Sequence, residues 1–77
     1  MPTSPTAHVA GNVRAEMGRR NVTQVQMALA LGRTQAAVSR RLTGRVAFDV
    51  EELSAVAVVL DTTVAHLMTG LDTESVA

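Results

Sequence analysis

Residues 23–44 read TQVQMALALGRTQAAVSRRLTG, and this stretch decides the fold. Met27, Ala28 and Leu31 share one face at helical spacing, Gly32 interrupts them, and Val38 and Leu42 resume the pattern four residues apart. Thr23 with Gln26 three residues later is a capping box, and Thr34 is a second N-cap shortly after the glycine. Each pattern is shorter than the roughly 12 residues an isolated helix needs in water, so the two helices must stabilise each other. Gly32 allows the turn between them a positive φ without a Cβ penalty. Ala28 is small enough for a close crossing, and Val38 is expected to fill the gap between the helices.

Upstream, Val9, Val13 and Met17 recur every four residues and predict a first helix. It should end near Arg19 and Arg20, with Asn21 suited to a left-handed position and Gly18 weakening the last turn. Ser4 and Pro5 suit an N-cap and first helical position within an otherwise loose tail, residues 1–5. Downstream, Asp49 and Glu52 form another capping pair, opening a helix whose stripe is Leu53, Val56, Ala57 and Leu60. Asp61, Thr62 and Thr63 turn the chain into a short fifth helix carrying Val64, Leu67 and Met68, closed by Thr69-Gly70. The expected fold is all-α, a compact five-helix domain over residues 6–70, with residues 71–77 a frayed tail.

The 77 residues suffice for one domain, near the lower limit for a chain that builds its own core. Hydrophobic residues make up 47% but aromatics only 1%, so Ala, Val, Leu and Met must supply the core, which favours close helix packing. The absence of cysteine excludes a disulfide framework and a cysteine-based zinc site. No apolar run approaches the roughly 20 residues of a membrane span, and MPTSPTAH lacks the features of a secretory signal. A cytoplasmic protein is expected.

Net charge is zero, yet the charges are segregated. All seven arginines lie between Arg14 and Arg45 beside the single acid Glu16, whereas the other six acids occupy residues 49–77. Local patches decide electrostatic steering, so a basic face toward phosphate is compatible with a neutral total. Folding can also interleave the two halves and cancel the segregation.

Two short helices locked at a steep angle are the plan of a helix-turn-helix, whose second helix can enter a DNA major groove. Over about residues 9–70 the chain resembles the helix-turn-helix family of phage repressors, Cro proteins and related small bacterial regulators. The resemblance rests on Thr23-Gln24, Met27-Ala28, Leu31-Gly32, Thr34 and Val38, with Leu60-Asp61-Thr62-Thr63-Val64 and Leu67 matching the junction of the last two helices. Arg33 and Arg41 depart from it, standing where the family usually has apolar residues; Leu42 replaces the second through a small rotation or shift of the third helix.

The resemblance implies a lambda-repressor-like fold and sequence-specific binding of double-stranded operator DNA, expected to be palindromic. It places Gln35 and Ala36 at the base edges, followed one turn later by Ser39 or Arg40, and leaves open whether Arg40 or Arg41 faces the groove. Glutamine pairs with adenine, arginine with guanine, and alanine contacts a thymine methyl. Gln24 resembles a phosphate-clamping glutamine at a helix N-terminus, where free N–H groups favour anions. Thr23, Thr34, Arg41, Thr43 and Arg45 are further phosphate candidates, and Arg14, Arg19 and Arg20 weaker ones. The alternative for Arg40 or Arg41 is an internal pair with Glu51 or Glu52.

One such domain reaches few base pairs, so a weak homodimer on two half-sites is expected. Its interface is assigned to Val58, Val59, Val64, Met68 and Leu71, the alternative being that Val59 or Val64 completes the core. A competing function is an antitoxin or anti-repressor-like module that grips another protein through the same apolar face of the last two helices. Met17, Met27 and Met68 read as core or interface filling, and His8 and His66 as surface or interface residues. No phosphate-cradling glycine loop or nucleophile–base set is present, so neither an enzyme, a cofactor, a metal nor a small-molecule ligand is expected.

Overall fold

A computed structural model describes residues 4–71. Five helices follow one another, α1 (Pro5–Arg20), α2 (Gln24–Leu31), α3 (Gln35–Leu42), α4 (Val50–Val59) and α5 (Val64–Leu67), with no strand among the described residues. The all-α, five-helix architecture is as the sequence predicts. α1 begins at Pro5, one residue before the expected domain boundary. Residues 72–77 of the expected C-terminal tail lie outside the described residues.

Every helix opens on a side chain that accepts an otherwise orphaned backbone N–H. Ser4 accepts from Ala7, Thr23 from Gln26, Thr34 from Ala37, Asp49 from Glu52 and Thr63 from His66. Gln26 and Glu52 return the favour to the cap backbone and complete two capping boxes. α1 ends on Asn21 at φ 57° and α2 on Gly32 at φ 64°, the left-handed conformation that each residue type favours. Local chemistry thus fixes where these short helices start and where the first two stop.

Their shared faces close on one core. Val13, Met27, Val38, Val56, Leu60 and Leu67 are fully buried, with Val9, Met17, Ala28, Leu42, Leu53 and Ala57 around them. α2 packs on α3 and α4, α1 on α3 and α5, and α4 on α5. With Phe48 the one aromatic, partly buried aliphatics complete the packing. Val22, Leu31, Val59, Val64 and Leu71 all lean on the core, so Leu31 is less buried than its stripe predicts.

This packing corrects the expected dimer surface. Val59, Val64 and Leu71 are half-buried against the core, and Val58 and Met68 alone of the five are exposed, at 78% and 40%. A core without large rings draws in these aliphatic flanks to reach close packing.

A polar ladder along α1 holds α5 in place. His8 Nε2 donates to the Thr69 carbonyl at 2.8 Å, and Asn12 Nδ2 donates to the Leu67 and Thr69 carbonyls at 2.8 and 2.9 Å. One turn further, buried Glu16 faces His66 at 3.6 Å. The residues sit at four-residue spacing, hence on one face of α1. The two histidines, expected as surface or interface residues, therefore help join the first and last helices.

Candidate nucleic-acid interface

α2, Gly32 and α3 form two helices joined by a tight turn. The Arg33 N–H donates to the Ala28 carbonyl at 3.0 Å, so α2 closes back on its own end before Thr34 opens α3. Buried Met27, Ala28 and Val38 hold the pair together, and Val38 with Leu42 anchors α3 to the core. The opposite side of α3 is free. Gln35, Ala36 and Arg40 are exposed and Ser39 is half-buried.

Successive helical residues are about 100° apart, so adjacent arginines cannot share a direction. Arg40 points to solvent and Arg41 turns inward, its side chain only 12% exposed. Arg41 Nε donates to both Glu52 carboxylate oxygens at 3.1 Å, and its terminal nitrogen donates to the Ala37 carbonyl at 2.9 Å. Arg33 Nε donates to the same carboxylate at 2.8 Å. The expectation that Arg41 contacts phosphate is therefore revised, because its guanidinium is turned inward and held by Glu52 and the Ala37 carbonyl. Both departures from the family pattern, Arg33 and Arg41, meet on the same buried carboxylate, that of Glu52.

Three further arginines are also engaged within the domain. Arg14 donates to the Leu42 carbonyl and so caps the end of α3. Arg19 and Arg20 surround Glu16, and Arg20 also lies 3.9 Å from Asp61. Among the described residues, Arg40 and Arg45 are the two arginines whose guanidinium groups make no internal hydrogen bond or ion pair. Both are exposed, one on α3 and one just beyond it. The segregation of charge in the sequence is thus partly cancelled by pairing, and what survives is concentrated at α3.

The hydroxyl caps retain different capacities. Thr23 and Thr34 accept backbone N–H groups, leaving each hydroxyl hydrogen free to donate outward. Thr43 spends its hydroxyl hydrogen on the Ser39 and Arg40 carbonyls, at 3.0 and 3.1 Å. Its backbone N–H also bonds the Ser39 carbonyl, so Thr43 has no donor left for a phosphate and that expectation too is revised. Gln24, the first residue of α2, is exposed.

Two carboxylates carry shifted acidity. Burial pushes the Glu52 carboxyl up, but the Asp49 N–H and the Arg41 and Arg33 guanidinium groups more than offset this and hold it below the usual glutamate range. The hydrogen bond from Arg19 does the same for Glu16 against its desolvation, aided by His66 and Arg20. Composition and helical stripes did not reveal these acids as organisers. The available signals were Arg19 and Arg20 at three and four residues from Glu16, and unexplained arginines at two normally apolar positions.

A model of the helix-turn-helix family matches residues 13–67, from the middle of α1 to the end of α5. The chain belongs to the helix-turn-helix family, typical of phage repressors and Cro-like regulators. No curated protein and no solved structure gives a significant match. As a helix-turn-helix protein it is a DNA-binding regulator, with α2 and α3 the motif and α3 its second helix. No helix of this helix-turn-helix domain, among the described residues, is long and apolar enough to cross a membrane.

Proposed function

We propose that the protein is a sequence-specific, double-stranded DNA-binding transcriptional regulator of the phage repressor or Cro type, acting in the bacterial cytoplasm. α3 enters the major groove of an operator half-site. Gln35 reads adenine, Arg40 reads guanine O6 and N7, Ala36 meets a thymine methyl, and Ser39 adds a further hydrogen bond. Thr23, Gln24, Thr34 and Arg45 position the domain on the phosphates. The observation that carries this reading is that the two arginines without internal partners, Arg40 and Arg45, both lie at the exposed side and end of α3.

The domain pairs weakly with a second copy through Val58 and Met68, each subunit reading one half of a palindrome. Binding-site selection from a random DNA pool, followed by titration of selected and random duplexes across a salt series, tests the proposal. A shared half-site motif and a steep fall of affinity with salt are expected. Absence of DNA binding at low salt would overturn it and leave the protein-binding module, gripping its partner through the face of α4 and α5.

A further inference from the structure

We propose that Glu52 is a positioning residue that decides which of the adjacent arginines, Arg40 or Arg41, DNA meets. It rests on the DNA-binding reading above and adds to it a device for specificity. Glu52 lies at the start of α4, outside the motif, yet its carboxylate receives Arg33 from the turn and Arg41 from the last turn of α3. It is therefore tied at two points to the segment that turns and carries the reading helix. Its own position is fixed by the capping box, in which Oε1 accepts from the Asp49 N–H at 3.0 Å while the Glu52 N–H donates to Asp49 at 2.7 Å.

The consequence is a defined roll of α3. With Arg41 drawn inward, Arg40 faces solvent one residue earlier, together with Gln35 and Ala36. The same carboxylate holds two cations that would otherwise find phosphate on any sequence. Phosphate contacts strengthen binding without discriminating between sequences, whereas base contacts discriminate. Glu52 thus raises the ratio of specific to non-specific binding by subtraction, keeping Arg33 and Arg41 away from the backbone.

Glu52→Gln is the informative variant because a glutamine oxygen still accepts the Asp49 N–H and preserves the capping box. The expected result is a log–log salt slope steeper by about one to two, since each freed arginine neutralises up to one more phosphate. The ratio of operator to random-duplex affinity should fall by roughly tenfold, within the range that one bidentate base pairing supplies. In the wild-type background, Arg41→Met should leave the slope unchanged. Arg33→Met and Arg41→Met added to Glu52→Gln should restore it.

A measurement on the free protein separates positioning from loss of folding. By nuclear magnetic resonance, the Arg41 Nε–H should exchange slowly with solvent and the Arg40 Nε–H rapidly, the difference vanishing in Glu52→Gln. Equal exchange in the wild type overturns the proposal, as does a slope lowered by about one in Arg41→Met. So does a Glu52→Gln protein that loses operator and random binding alike at unchanged slope, the mark of a merely structural residue. A wild type that binds no DNA overturns the functional reading itself and the specificity device with it. Protected Arg41 alongside an unchanged ratio in Glu52→Gln overturns the specificity device alone.

Discussion

Gly44 rests directly on Ala7, so closely that a Cβ added to the glycine would stand 3.0 Å from the Ala7 Cα and 3.2 Å from its Cβ. This contact seats the chain leaving α3 on the first turns of α1. Gly32 also has positive φ but has nothing within 4 Å of an added Cβ. The pair separates backbone strain from crowding. Gly32→Ala should cost about 1–2 kcal/mol from the left-handed conformation alone. Gly44→Ala should add to that an overpacking cost of roughly 1–3 kcal/mol. Thermal unfolding of both variants checks the order, and equal losses would show that α1 gives way freely at Ala7.

Gln35 and Arg45 should fail in different ways. Gln35→Ala removes a base contact and should cost about 1–3 kcal/mol on the preferred operator with little effect on random DNA. Arg45→Ala should weaken every duplex alike and make the salt slope shallower by about one. Parallel titrations on operator and random DNA compare the two. A Gln35→Ala protein with unchanged base preference would remove Gln35 from the reading face.

Acid should destabilise the domain through its two buried carboxylates. Glu16 and Glu52 both titrate below the usual glutamate value in the folded protein. The unfolded chain, with carboxyls near about 4.3, therefore takes up protons first as pH falls. The stabilisation is complete above about pH 5 and is lost as pH drops through 4.3 toward the lower folded values. Urea titrations between neutral pH and pH 3 should show this decline, with Glu52→Gln less stable at neutral pH and flatter below pH 5. Parallel curves for wild type and variant would mean that Glu52 titrates as an ordinary surface acid.

Val58 and Val64 divide interface from core. Val58 is exposed, so Val58→Lys should change stability by no more than about 0.5 kcal/mol. It should nevertheless reduce self-association and joint occupancy of two half-sites. Val64 packs on the core, and Val64→Lys should lower the melting temperature. Light scattering at high concentration and on operator DNA measures the first effect. A wild-type monomer in both conditions would remove the homodimer.

The boundaries of α2 and α3 were legible because caps and turns are local: Thr23, Gln26, Gly32 and Thr34 act over at most four residues. Asn21 was readable for the same reason. Arg41 was legible only as one of two alternatives, a phosphate contact or an internal pair with Glu51 or Glu52. The second holds, and because Glu52 lies 11 residues away across the fold a helical stripe does not choose between them. Open alternatives in the sequence, Arg40 or Arg41 outward, were resolved by that contact. Val59 and Val64 fit an exposed patch or a core flank equally well by spacing alone. Which they join depends on how much volume the aromatic-poor core leaves to fill. The base-reading roles of Gln35, Ala36, Ser39 and Arg40 came from family resemblance; the fold exposes Gln35, Ala36 and Arg40 and half-buries Ser39.

The ladder from His8 through Asn12 to Glu16 has a kinetic consequence. α5 is a single turn, too short to persist unaided, and the hydrogen bonds from His8 and Asn12 join residues 55 to 61 apart in sequence. Contacts that close such long loops form only after much chain entropy has been lost. The bonds to the Thr69 carbonyl are exposed to solvent and α5 is a single turn, so this seam is expected to be among the first to open in native-state fluctuations. Amide exchange should therefore release residues 64–69 and the N-terminal turns of α1 as one cooperative unit, ahead of α2 and α3. Such a result would place the weakest seam of the domain between its first and last helices, with the α2–α3 pair still formed.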